Sequence, residues 1–146
     1  MFKLIAVLSL LGANKVPFEK LPEPVRAAVM KAYPDAKVVS AEEEKDEGKV
    51  VYEVKFKHGA QVVELSVGVD GAVVSEEKVV KLEETPPFVR KAVAGALPAR
   101  AKVERVEQVT EAGKESYEVA VRKADGSHIE LVIDANGGVV TRTEKD

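Results

Sequence analysis

The sequence predicts an α+β protein of two tandem repeats, each one α-helix packed on a four-stranded antiparallel sheet. Three observations lead there: a set of blocks that recurs in order, a short apolar helical face opening each copy, and alternating strands separated by glycine turns. Pro24–Pro34 and Phe88–Pro98 agree at six of eleven positions. Downstream, Tyr52-Glu53-Val54 matches Tyr117-Glu118-Val119, Glu64-Leu65 matches Glu130-Leu131, and Asp70–Val74 matches Asn136–Val140. The offset creeps from 64 to 65 to 66, as one-residue loop insertions produce. Alanine and valine are common enough to match by accident, but the preserved order of several blocks marks a duplication. The units are 14–80 and 81–146. Their sheets either stand apart or run on as one continuous curved sheet.

Residues 1–13 place Lys3 before the apolar run Leu4–Leu11 and the small pair Gly12-Ala13. A basic start, a short apolar stretch and small residues near a cut form the layout of a secretory signal peptide. That predicts a periplasmic or secreted protein. The apolar run is too short for a permanent membrane span, which needs about 20 residues.

Each copy then opens with a helix. Val25, Ala28, Val29, Ala32 and Tyr33 fall on one face of a 3.6-residue period, and Val89, Ala92, Val93, Ala96 and Leu97 repeat the spacing. Thr85 before Pro86 offers a cap and a first-turn proline. Pro34 and Pro98 stop the helices, because a proline disfavours α geometry in the residue before it. Helices this short do not persist alone, so each needs a sheet to lie on.

The strands follow. A first one covers about residues 37–43, matched by 102–109. Val50, Tyr52, Val54 and Phe56 alternate with Val51, Glu53, Lys55 and Lys57, and Val63, Leu65, Val67 and Val69 alternate with Glu64, Ser66 and Gly68. In the second copy Tyr117, Val119 and Val121 alternate with Glu118, Ala120 and Arg122. Ile129, Leu131 and Ile133 alternate with His128, Glu130 and Val132. His58-Gly59, Asp70-Gly71, Asp125-Gly126 and Asn136-Gly137 are hairpin pairs. The last strands are 72–80 and 138–143.

Composition excludes several activities. Of 146 residues 45% are hydrophobic and 32% charged, which describes a folded chain. With 22 basic against 25 acidic residues the formal net charge is −3, so no basic excess is available for a nucleic-acid backbone. The absence of cysteine removes thiol nucleophiles, disulfides and thiolate metal sites. His58 and His128, the two histidines, lack the neighbours that metal-ligand spacing requires. There is no Gly-x-Ser-x-Gly elbow and no phosphate-cradling glycine loop. Ser127 and His128 are strand neighbours on opposite faces and do not pair. Glu42–Glu47, with five acids in six residues, lacks the glycine-centred spacing of a calcium loop and reads as a solvated hairpin. Asp134–Gly138 is explained by a turn. No catalytic residue, cofactor site or metal site is assigned.

The order of blocks resembles the PepSY-like families, in particular the β-lactamase-inhibitor-like, PepSY-like proteins. The residues that carry the resemblance are Leu21-Pro22 with Val25, Ala32-Tyr33-Pro34-Asp35-Ala36, Tyr52-Glu53-Val54 and Asp70-Gly71. It extends over about residues 18–146. The second copy departs from the pattern: Thr85-Pro86-Pro87 replaces the Leu-Pro start, and Leu97 replaces the tyrosine. The resemblance implies an exported bacterial domain with a binding or inhibitory role. It brings no catalytic residue, and inhibition of a β-lactamase does not follow from a shared fold.

The two copies act as controls on each other. Arg26 and Arg90 are matched beside the apolar face and read as structural. Glu53/Glu118 and Glu64/Glu130 are matched on the outward strand face, where Lys55, Lys57 or Arg122 are the expected cross-strand partners. A sheet with helices on one side leaves the other side open. That side carries the candidate partner-binding residues Val51, Glu53, Lys55, Lys57, Val62, Glu64, Glu118, Ala120, Arg122, His128, Glu130 and Val132. It has no Tyr or Trp anchor, which argues against a very tight inhibitor using this face. The expected function is non-catalytic binding of an exported protein, such as restraint of a peptidase or other secreted enzyme. The alternatives are a small exported hydrolase whose carboxylates meet only in the fold, which predicts a deep pocket, and a structural envelope module.

Overall fold

The computed structural model describes residues 14–143; the signal-peptide reading of 1–13 lies outside them. The elements in chain order are β1 (Asn14–Lys15), α1 (Glu23–Ala32), β2 (Lys37–Asp46), β3 (Lys49–His58), β4 (Gln61–Gly68) and β5 (Val73–Val80). They continue with α2 (Pro87–Ala96), β6 (Lys102–Glu111), β7 (Lys114–Arg122), β8 (His128–Asp134) and β9 (Val139–Thr143). A short 3₁₀ turn precedes each helix, at Phe18–Lys20 and Leu82–Glu84. All nine strands pair in chain order, antiparallel throughout, in one sheet. The join is β5 on β6, where Ser75–Val80 pairs with Val106–Glu111. Of the two arrangements left open by the sequence, the continuous sheet is the one adopted. It pairs two strands that separate sheets would leave as exposed edges. β1, two residues paired with Glu42 and Glu43, is too short to show a period and was not foreseen.

Each helix covers its own apolar cluster on one side of the sheet. Val25 and Val29 of α1 join Leu21, Tyr52, Val54, Phe56, Val63, Leu65 and Val67. Val89 and Val93 of α2 join Val106, Tyr117, Val119, Val121, Ile129, Leu131 and Ile133. Burial of each of these side chains contributes about 1.5–3 kcal/mol. The helices end at Ala32 and Ala96, two residues before Pro34 and Pro98. Thr85 is not a cap: Pro86 holds that position, and Thr85 Oγ1 donates to the Leu82 carbonyl at 2.6 Å, closing the preceding turn. Ala32 is exposed, because the helical stripe runs off the sheet at the last turn.

Arg26 and Arg90 hold equivalent posts. Arg26 Nε donates to the Leu21 carbonyl at 3.1 Å, and Arg90 Nη1 donates to the Thr85 carbonyl, each reaching back five residues to the turn before its helix. Arg26→Ala and Arg90→Ala are each expected to lower stability by about 1 kcal/mol, read as a shift in urea midpoint with an unchanged slope.

The copies also share their irregularities. Bulges fall between Val38 and Ser40 in β2 and between Val103 and Arg105 in β6. The β2–β3 and β6–β7 hairpins turn on Glu47-Gly48 and Ala112-Gly113, all four residues with positive φ. That backbone matches the right-handed strand twist. These turns place Glu42 opposite Glu107 in the alignment of the copies.

Candidate functional site

Alternation sends the even set of β3 to the helices and Val51, Glu53, Lys55 and Lys57 to the other side. Following the register strand by strand carries that side across the sheet. It holds Glu42 and Glu44 on β2, Val62, Glu64 and Ser66 on β4, Ser75, Glu77 and Val79 on β5, and Glu107 and Val109 on β6. It ends with Glu118, Ala120 and Arg122 on β7, His128, Glu130 and Val132 on β8, and Val140 and Arg142 on β9. The candidate partner-binding residues thus share one face. No described element packs over it. Nevertheless Val51, Glu53, Ser66, Ser75, Val109, Glu118 and Val132 are buried there, shielded among the described residues by neighbours on adjoining strands.

One glutamate from each of seven consecutive strands forms a staircase. Glu42 faces Glu53 directly, Glu64 faces Glu77, Glu107 faces Glu118, and Glu130 faces Arg142. Between these pairs the row steps diagonally: Glu53 stands opposite Ser66, Glu77 opposite Val109 and Glu118 opposite Val132, each two residues from the next glutamate. The duplication explains the regularity, since Glu42, Glu53, Glu64 and Glu77 repeat as Glu107, Glu118, Glu130 and Arg142. Directly opposed side chains lie about 5 Å apart at Cβ and diagonal ones about 7–8 Å.

Such a row is costly unless its charge is offset. Glu53 is 5% exposed and Glu118 8%. Burial, together with the neighbouring carboxylates, pushes the Glu53, Glu77 and Glu118 carboxyls up to about 9. Across the diagonal steps Glu64 raises Glu53, Glu107 raises Glu77 and Glu130 raises Glu118, with Glu44 also beside Glu53. Burial also raises Glu64, against the pull of Lys55. The cations beside the row are Lys55, Arg142 near Glu118, and Arg105, whose Nε is 2.6 Å from Glu107. Glu64 Oε1 and Glu118 Oε1 are buried without a hydrogen-bond partner among the described residues.

Several expectations are corrected here. Lys55 does stand opposite Glu64. Arg122, however, pairs with Glu104 at 3.3 Å, and His128 Nε2 lies 3.6 Å from the same carboxylate. Glu53 and Glu118 therefore sit among other acids rather than beside lysines. The acidic run is not a solvated hairpin: Glu42–Asp46 is strand, and the turn is confined to Glu47-Gly48. Glu42, Glu44 and Glu53 bring carboxylate oxygens within 4.8 Å of one another. Glu77 and Glu107 were missed altogether. The signal for Glu107 was the 65-residue offset that relates it to Glu42, hidden because the bulges shift strand parity.

The remaining motifs are local. Ser127 Oγ donates to Asp125, away from His128. Asp134 Oδ1 accepts from the Asn136 and Gly138 amides at 2.8 and 2.9 Å, the expected turn. The His58 ring packs edge-on against Tyr33 at 5.0 Å. A cavity of about 280 Å³ at the β7–β8 end is lined by Arg100, Lys102, Arg122, Lys123, Ala124 and Gly126, with no carboxylate in its wall. Among the described residues no helix is long and apolar enough to cross a membrane.

The fold has known counterparts. A DUF2874 family protein from Bacteroides uniformis is 22% identical, with a TM-score of 0.72 over 84% of this chain and 88% of its own. A Bacteroides eggerthii protein described provisionally as periplasmic is 20% identical, with a TM-score of 0.73 over the same shares, 84% and 88%. A BLIP-like protein from Bacteroides fragilis is 18% identical, with a TM-score of 0.69 over 90% of this chain and 91% of its own. At these identities the likeness concerns the fold alone. Among curated proteins nothing matches. The PepSY family, described as the peptidase propeptide and YPEB domain, matches residues 22–70 and 89–144. These two segments take in both helices' apolar faces, most of the strands and six of the seven staircase glutamates, Glu77 lying between them, so the chain belongs to the PepSY family, carrying its domain twice.

Proposed function

We propose that the protein is a non-catalytic, extracytoplasmic binding module made of the units 14–80 and 81–146, each one helix and four strands, with the two-residue β1 added to the first. Its open sheet face contacts an exported protein, a peptidase or other secreted enzyme being the partner class that family membership favours. One observation carries the reading: a face without a covering element among the described residues holds buried carboxyl groups, of which Glu64 Oε1 and Glu118 Oε1 have no hydrogen-bond partner among the described residues. Such a face adds nothing to the stability of the domain alone, whereas a partner that brings cations or hydrogen-bond donors to those oxygens is stabilised on it. Export is supported by the layout of residues 1–13 and by the periplasmic description of a structural relative. The hydrolase alternative is disfavoured because the displaced carboxylates lie in a row on a sheet, while the cavity at the β7–β8 end is lined by cations.

The test is capture from a host extracytoplasmic extract on immobilised protein. Val51 and Val132 are each 7% exposed, so Asp at either position reports on folding. Lys57→Glu and Val140→Asp alter exposed ground on the same face. A specific protein retained by the parent and reduced at least tenfold on both variants is the expected result. Identical eluates from all columns overturn the sheet-face reading.

A further inference from the structure

We infer that the glutamate staircase recognises an extended polypeptide segment carrying Lys or Arg at alternate positions, laid across the strands. This rests on the binding-module reading and names the chemistry of its partner. Seven acids run through Glu42, Glu53, Glu64, Glu77, Glu107, Glu118 and Glu130, against Lys55, Arg105 and Arg142 beside them. A second, independent observation points to a ligand: Glu118 is 92% buried, its carboxyl lies in the row beside that of Glu130, and its Oε1 has no hydrogen-bond partner among the described residues.

Spacing selects the ligand. The steps alternate between about 5 Å and about 7–8 Å. Side chains on one face of an extended chain recur about every 6.5–6.8 Å. A strand with cations at i, i+2 and i+4 therefore brings one ammonium or guanidinium to each step, where two carboxylates suffice for a charge-assisted pair. A line of hard divalent ions fits less well. Each needs about 6–8 oxygens, and on a sheet face the backbone carbonyls are spent in the ladder. Three oxygens converge only at Glu42, Glu44 and Glu53 among the described residues. The half-buried members, Glu42, Glu64, Glu77, Glu107 and Glu130, leave the row accessible. Long, flexible Lys or Arg stems suit the deeper Glu53 and Glu118.

Binding has a proton signature. The raised carboxyls hold protons at neutral pH, and an arriving cation displaces them, so binding releases protons and tightens as pH rises from 6 toward 9. The groups facing these carboxyls are the other glutamates of the row, Glu44, Lys55, Arg105 and Arg142.

The experiment uses the full chain and three synthetic thirteen-residue peptides: one alternating Lys and Thr, one of the same composition with the lysines in a block, and one alternating Glu and Thr. Calorimetry in two buffers of different ionisation enthalpy reads affinity and proton release together. Expected are binding of the alternating basic peptide at least tenfold tighter than the block peptide, net proton release, and no binding of the acidic peptide. Glu77→Gln with Glu107→Gln, which preserves side-chain shape, is expected to weaken binding at least tenfold. Equal binding of alternating and block peptides overturns the inference in favour of diffuse charge attraction. Binding of calcium alone, reversed by a chelator and with no peptide binding, overturns it in favour of a metal site. Capture of an exported protein that the glutamine variant leaves unchanged but Val140→Asp abolishes also overturns it, while leaving the binding-module reading intact.

Discussion

The Glu53→Gln, Glu118→Gln variant is expected to be more stable than the parent by about 1–3 kcal/mol at pH 9 and nearly unchanged at pH 5. The two carboxyls rise from 4.5 in the unfolded chain to about 9 in the folded one, with burial the leading cause. A raised acid binds more protons folded than unfolded, so its stabilising contribution is fully present below pH 4.5 and is lost as pH rises through about 9. Glu77 adds to the same slope, pushed up by burial and by its contact with Glu107. The parent is expected to lose about 2–4 kcal/mol between pH 5 and pH 9. Glutamine keeps the shape and the donor of a protonated carboxyl but cannot ionise, so the variant's profile is flatter. Urea unfolding across that range is the measurement. A parent whose midpoint is level or climbs with pH would show that the row is ionised and balanced in the folded protein.

Gly71→Ala is expected to cost about 2–4 kcal/mol, and Gly137→Ala about 1 kcal/mol, although the two glycines occupy matched hairpins. Both have φ above +80°, where a side chain is strained. At Gly71 a Cβ would also come within 2.7 Å of the Pro24 carbonyl oxygen, because the β4–β5 hairpin tip presses on the start of α1. At Gly137 the nearest atom is 3.8 Å away and belongs to the Phe88 ring, which can turn aside. The difference between the variants, read by thermal or urea unfolding, isolates the backbone contact from the dihedral cost. Equal losses would mean that the hairpin tip does not bear on the helix.

The duplication, the α+β class, the paired helices and the half-buried strands were all legible in the sequence, because each depends on short-range periodicity. Val25 and Val29, or Tyr52, Val54 and Phe56, reveal their faces within one or two turns of chain. The matched Glu53/Glu118 and Glu64/Glu130 were placed on the correct side by the same alternation. Their cross-strand partners were legible only in part. Lys55 does face Glu64, but Glu53 and Glu118 meet other carboxyls from adjacent strands, and Arg122 turns to Glu104. The acidic run from Glu42 looked solvated because its cross-strand company, Glu53, is eleven residues away.

What the sequence determined by itself is the repeating unit and which residues turn away from the helices, since alternation is a local property of the extended chain. Only the tertiary structure decided that β5 joins β6, that a bulge in the β4–β5 pair brings Glu77 opposite Glu64, and that seven separate glutamates become one row. Register between strands is set by packing and turn geometry over the whole sheet, and a slip of one residue would send each of those carboxylates to the opposite face.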